Sequence, residues 1–229
     1  MRVPFQCTNE DINAAGLTCS DDDPCPVYLE LSAFESTGIR LYAVGDIHTA
    51  EKTLYSVILG SDDNGHTWRE VHERIRAASL DHLQFIGAAN GWVSGLELSP
   101  IARDPFLLRT TDGGKTWRQI PIFSEPGFGA IQQFAFTDPE NGALIIDRGP
   151  GSASDRYERY ESLDGGDSWM VKESSVKPLT LKRPLGAAPP EYRVRADANS
   201  RSFQLEHRQN GRWTSLAAFL VNLGMCKPD

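Results

Sequence analysis

Three stretches of this chain spell nearly the same eight residues: 61–68 (SDDNGHTW), 110–117 (TTDGGKTW) and 162–169 (SLDGGDSW). The shared pattern is Ser/Thr-x-Asp-x-Gly-x-Ser/Thr-Trp, and its aspartates stand 49 and then 52 residues apart. A motif recurring at so steady a period requires an array of similar structural units. Each copy starts at Ser61, Thr110 or Ser162 and follows an apolar or aromatic run, residues 53–59, 106–108 and 157–160. The chemistry suits a turn between antiparallel strands. Asp63, Asp112 and Asp164 have short carboxylates that accept backbone N–H bonds within a turn. Gly65, Gly114 and Gly166 supply a positive φ without a Cβ clash. Thr67, Thr116 and Ser168 add a local hydroxyl bond, and Trp68, Trp117 and Trp169 bury large ring surfaces.

These residues match the Asp-box, the bacterial neuraminidase repeat. The resemblance implies a β-propeller in which the box joins the third and fourth strands of a blade, at its periphery and away from a ligand-binding mouth. The box aspartates are accordingly expected to be structural, neither catalytic acids nor calcium ligands.

Aligning on the tryptophans maps four units. Unit one offers strands over 27–34, 39–44, 53–59 and the run entered by Trp68. Unit two offers 80–86, 91–95, 106–109 and 117–122, and unit three 131–136, 143–146, 157–161 and 169–172. Short β-rich runs punctuated by Gly, Pro, Asn and Asp read as all-β structure. A fourth, worn unit keeps strand-like runs at 192–196 and 202–207, the hairpin dipeptide Asn210-Gly211 and Trp213, but no box. Residues 182–191 form a proline-interrupted loop, and residues 214–223 read as the closing strand. The expected fold is all-β, a small propeller of about four blades of four antiparallel strands, three with Asp-box hairpins. Its units run about 27–74, 75–124, 125–175 and 176–223 within a domain 27–229, after a Cys-containing extension 1–26. A five-bladed ring with a cryptic blade and an open piece of a larger propeller are the alternatives.

A second resemblance is sharper. The strand Asn90-Gly91-Trp92-Val93-Ser94-Gly95 ahead of a TTDGGKTW box is similar to the photosystem II stability/assembly-factor family. Unit three has Asn141-Gly142-Ala143-Leu144 there, with alanine in place of the tryptophan. The likeness spans roughly residues 80–172 and speaks for the fold.

At 229 residues the chain is long enough for a full core. Its net charge of −8 argues against a general nucleic-acid or anionic-membrane binder. No run approaches the roughly 18 apolar residues of a membrane span. Cys7, Cys19 and Cys25 precede the first blade, and Cys226 lies near the end. Their spacing lacks the close pairs of a zinc knuckle, so two disulfides and hence export are expected. Cys226 takes one of the other three, which leaves three connectivities open. The start MRVPFQ has no apolar h-region, so either the chain is a mature or shortened form or it is not exported. Asp21-Asp22-Asp23 reads as a solvated acidic turn, and no metal or cofactor is expected.

Asp-box enzymes include sialidases, whose resemblance implies an arginine triad, an Arg-Ile-Pro motif, a Tyr/Glu nucleophile pair and an acid aspartate. No Arg-Ile-Pro occurs; Lys182-Arg183-Pro184-Leu185 is the nearest string, and Arg74 and Arg76 match nothing in it. Tyr157-Glu158 and Tyr160-Glu161 are adjacent pairs, which a strand points to opposite faces. His48, His66, His72, His82 and His207 are scattered, and no hydrolase elbow or phosphate loop is present.

Propeller geometry directs binding to the loops between second and third strands. Those are residues 46–52, 97–104 and 147–156, with Asp46, His48, Arg103, Asp104, Asp147, Arg148 and Arg156 as candidates. Asp81 and His82, with Gln132 and Gln133, begin innermost strands and are candidates for lining a central opening. The expected function is a non-catalytic exported scaffold holding a protein partner. A glycan-binding protein or divergent glycosidase is the alternative.

Overall fold

The computed structural model describes residues 1–38, 40–99, 101–150, 155–181 and 191–228. Residue 39, position 100, positions 151–154 of the 147–156 loop, and residues 182–190 with their Lys-Arg-Pro-Leu string lie outside them. The chain divides into two compact units: Met1–Ser79 with Pro190–Asp229, and Leu80–Pro189.

The first unit opens with a helix, α1 (Asn9–Ala15), and holds two sheets. One comprises β1 (Cys25–Thr37), β2 (Arg40–His48), β3 (Thr53–Ser61), β4 (Arg69–Glu70) and β16 (Asn222–Cys226), in the order β16-β1-β2-β3-β4. The other comprises β13 (Tyr192–Asp197), β14 (Ser202–Gln209) and β15 (Arg212–Leu220). The second unit holds β5 (Ala78–Ile86), β6 (Asn90–Glu97), β7 (Arg103–Thr110) and β8 (Arg118–Pro121) in one sheet. Its other sheet is β9 (Ala130–Phe136), β10 (Gly142–Asp147), β11 (Tyr157–Ser162) and β12 (Met170–Ser175). The pairings described between neighbouring strands are antiparallel, and the four sheets are blades of the β-propeller kind.

The strand counts depart from four in each sheet for one reason. Residues 214–223 do not form a separate closing strand: most extend β15, and the last strand, β16, crosses to pair with β1, Cys25 opposite Cys226. The fourth sheet thus has three strands among the described residues and the first has five. Where β1 bulges between Leu31 and Ala33, β2 presents Gly45. A Cβ there would sit 1.9 Å from the carbonyl oxygen of Glu30, so only glycine permits this approach.

The N-terminal segment folds onto the first unit. Thr8 and Asp11 form a reciprocal capping box on α1, and Gly16 ends it in the left-handed conformation. Tyr55 on β3 donates its hydroxyl to Asp11, and Arg76 reaches Asp11 at 3.6 Å and Glu10 at 3.0 Å. Val3, Cys7, Ile12 and Cys19 are buried in one core with Leu29, Leu59, Leu205 and Phe219. Two disulfides form, Cys7–Cys226 and Cys19–Cys25, which resolves the three open connectivities. No helix among the described residues is long and apolar enough to cross a membrane.

The second unit is centred on Trp92, which is 0% exposed. Its indole stacks on Phe136 of the next sheet, centroids 3.9 Å apart and planes 9° from parallel. Gln84 bridges the same two sheets, donating to the Phe136 carbonyl (2.9 Å) and accepting from its N–H (2.8 Å).

Candidate functional site

The three motif turns are closed networks. In the first, the Ser61 hydroxyl donates to Asp63 Oδ1 (2.8 Å) and accepts from the Gly65 N–H (2.8 Å). Asp63 also accepts from the Thr67 N–H (2.8 Å) and hydroxyl (2.7 Å). The same four bonds recur around Thr110, Asp112, Gly114 and Thr116, and around Ser162, Asp164, Gly166 and Ser168. The glycines take φ of 85°, 77° and 97°. The first hydroxyl of each motif, buried in all three, is the relay whose role the pattern alone did not reveal. Trp68, Trp117 and Trp169 are half-buried; Trp68 packs edge-on against Phe219 and donates to the Gly65 carbonyl (3.0 Å).

These bonds favour the charged carboxylates. The Thr67 N–H and hydroxyl bring Asp63 down to about 2, and the Thr116 hydroxyl and N–H hold Asp112 well below the usual range. At Asp164 burial pushes upward, but bonds from Ser168 and Ser162 outweigh it and bring the group to about 2. Acids so held are unsuited to donating a proton near neutrality. Their stabilisation is complete above the ordinary value near 3.8 and is lost as pH falls toward about 2. Glu35, which burial raises, acts with the opposite sign. The melting temperature is therefore expected to hold level down to about pH 4 and fall below it, less steeply in Asp112→Asn. A melting temperature that rises on acidification below that point would contradict the assignment.

The third turn also receives the neighbouring sheet. Trp92 Nε1 donates to the Gly165 carbonyl (2.9 Å), and Arg109 donates to the Asp164 carbonyl (3.1 Å). Arg109 and Arg118 both pair with Asp167.

Two loop candidates of the second unit, Asp104 and Arg148, converge on the connection between β8 and β9. Asp104, at φ 54°, donates its N–H to the Gly127 carbonyl (2.8 Å) and accepts the Gly127 N–H (2.6 Å) on Oδ1. Arg103 pairs with Asp104 at 3.1 Å. From the other side Arg148 donates to the Phe128 carbonyl (2.8 Å), Glu158 (2.8 Å) and the Tyr160 hydroxyl (2.7 Å), its guanidinium 4.2 Å from the Phe123 ring centroid. Asp147 and Arg156 form a two-bond pair, both at 2.7 Å, and those bonds hold Asp147 below its ordinary value. Between the Asp104 and Arg148 contacts, Phe128 is 59% exposed.

Tyr160 donates to Glu158 (2.7 Å), so the Tyr/Glu contact on β11 joins alternate residues on one face and not the adjacent pairs of the sequence. Burial and that bond push Tyr160 up to about 12, which opposes a nucleophilic phenolate. Beside it lies a cavity of about 580 Å³ whose walls include Phe123, Arg148, Tyr160 and Trp169.

The other candidates are dispersed. Asp81 and His82 are exposed on β5, where the His82 N–H donates to Ser94 Oγ (3.1 Å). Gln132 and Gln133 are exposed on β9; Gln132 reaches Asp147 at 3.2 Å and Gln133 accepts the Leu181 N–H at 2.9 Å. In the first unit, Asp46 and His48 end β2 above the turn that Thr49 closes with Lys52. His66 is exposed. Phe123, Phe128 and the Glu158–Tyr160 contact escaped sequence reasoning; the i, i+2 spacing on a strand was the available signal for the last.

No family model matches the chain, and no curated protein matches it. Among solved structures it is similar to "YCF48 bound to D1 peptide" at 18% identity, over 84% of this chain and 54% of that one, with a TM-score of 0.48. It is similar to YCF48 from Cyanidioschyzon merolae at 20% identity, over 84% and 57%, with a TM-score of 0.46. A GH74 xyloglucanase from Xanthomonas campestris gives 21% identity over 58% of this chain and 18% of the enzyme, with a TM-score of 0.42. The chain spans a little over half the length of the two YCF48 structures. The likeness is one of fold.

Proposed function

We propose that this protein is a non-catalytic exported scaffold that holds a protein partner through the loops of its second unit. The observation that carries the reading is Phe128: an exposed aromatic whose flanking backbone is fixed by Asp104 on one side and Arg148 on the other. An aromatic presented on a braced backbone binds with little ordering cost, and such residues dominate interfaces. The charged loop candidates then act as braces, and the contact itself is apolar. Two disulfides support export. The box carboxylates, committed to their own turns, support a non-catalytic role.

Capture of partners from periplasmic or culture extracts tests this. Phe128→Ala is expected to weaken retention by about 30-fold, the cost of a 2 kcal/mol anchor, with the melting temperature unchanged. Arg148→Ala is expected to weaken it too, by loosening the brace. Retention indifferent to Phe128→Ala, with signal on a glycan array or a fluorogenic glycoside panel, would replace this reading with a carbohydrate one.

A further inference from the structure

The first unit carries a cluster that the proposed binding role does not use. Register places Glu30 on β1 directly opposite Asp46 on β2, and Tyr28 opposite His48. Positions 28 and 30, and 46 and 48, alternate on their strands, so Glu30, Asp46 and His48 share one face. One ligand atom from each lies within 4.8 Å of the other two. Among the described residues, no other three His, Cys, Asp or Glu side chains converge in this way.

Two features make this more than an acidic patch. The third member is an imidazole whose orientation is set from outside the cluster: Nδ1 donates to the Thr49 carbonyl at 2.7 Å. A carbonyl can only accept, so Nδ1 carries the proton and Nε2 of the neutral imidazole presents its lone pair. That nitrogen lies on the Glu30 side, 3.9 Å from Oε2. A backbone carbonyl holding the far ring nitrogen is the usual support of a metal-binding histidine. Second, carboxylates directly opposite in an antiparallel ladder repel one another, a cost that a cation between them reverses. Thr49 is itself 4% exposed and is bonded across its turn to Lys52, so the imidazole rests on a fixed support.

We infer that Glu30, Asp46 and His48 form a binding site for a divalent transition-metal ion, with zinc the best match. One nitrogen and two carboxylate oxygens suit zinc; calcium and magnesium take oxygen-only sets. Three protein ligands leave a fourth position to solvent or to a donor brought by another molecule. Glu30 is the outer arm, its side chain 61% exposed against 29% for His48, and is the ligand with room to close on the ion.

Calorimetric titration of the full, disulfide-bonded chain with zinc chloride after chelator treatment tests the site. One ion per chain is expected, and cobalt(II) substitution should give the visible bands of a four-coordinate nitrogen–oxygen site. His48→Gln and Glu30→Gln are each expected to weaken binding by about 10–100-fold, at least the loss seen when only a ligand's support is removed. Circular dichroism checks that both variants fold, and Glu30→Gln, on an exposed side chain, is the less intrusive. His66→Gln should bind as the parent does. Absence of saturable zinc binding, or binding undiminished in both His48→Gln and Glu30→Gln, would overturn the site.

Discussion

Trp92→Ala is expected to destabilise the second unit by about 3–5 kcal/mol, the range for emptying a large aromatic site in a core. Three losses coincide. The indole is wholly buried, so its removal leaves a cavity in the core. Its stack on Phe136 disappears, and the Gly165 carbonyl loses its donor at the heart of the third motif turn. Trp92→Phe separates these effects: it retains much of the stack and loses the N–H, and should cost about 1–3 kcal/mol. Urea unfolding followed by circular dichroism measures both. A Trp92→Ala variant within 1 kcal/mol of the parent would show that the two sheets do not depend on this contact.

Replacing Cys7 and Cys226 together by serine is expected to cost about 5 kcal/mol, since the bond closes a sequence separation of 219 residues. The other disulfide spans only 6 residues, and the same chain-entropy reasoning gives about 2 kcal/mol for Cys19→Ser with Cys25→Ser. The comparison is internal: both bonds lie in one unit, so differences in the core largely cancel. The long bond also secures β16, a five-residue strand that pairs with β1 through a ladder whose register shifts between Val27 and Tyr28. Denaturation midpoints of the two double variants, with masses taken before and after reduction, decide the order. If the short bond proves the costlier, loop entropy is not what the long one supplies.

The sequence was most legible where cause and effect are local. Motif turns are made by residues four apart, so their chemistry announces itself and carries the neighbouring strands with it. The tryptophan of the Asn-Gly-Trp strand was visible as a pattern, but its partner Gly165 is 73 residues away and nothing beside Trp92 names it. β16 was unreadable for the same reason: a short run containing Gly224 becomes a strand only because β1 offers an unpaired edge. The loop charges were found, but not the backbone they bond to. Arg148 and Asp104 are spent on the backbone of 127–128, so the residue they expose is an uncharged phenylalanine that no charge pattern would select. Glu30 was passed over because a lone glutamate on a strand carries no signal until the register sets it against Asp46.

The first unit is assembled from both ends of the chain, and that imposes an order on biosynthesis. Residues 80–189 leave the ribosome whole, whereas β1 waits with one edge open until residues 222–226 arrive. At about 5–20 residues per second that interval is roughly 10–40 s. During it Cys7 has only Cys19 and Cys25 to meet, and oxidation can begin within seconds. Any early bond from Cys7 is therefore the wrong one and must be exchanged when Cys226 appears. Where the chain oxidises as it is made, a disulfide isomerase matters as much as an oxidant, and the edge of β1 is open to unwanted pairing until β16 arrives.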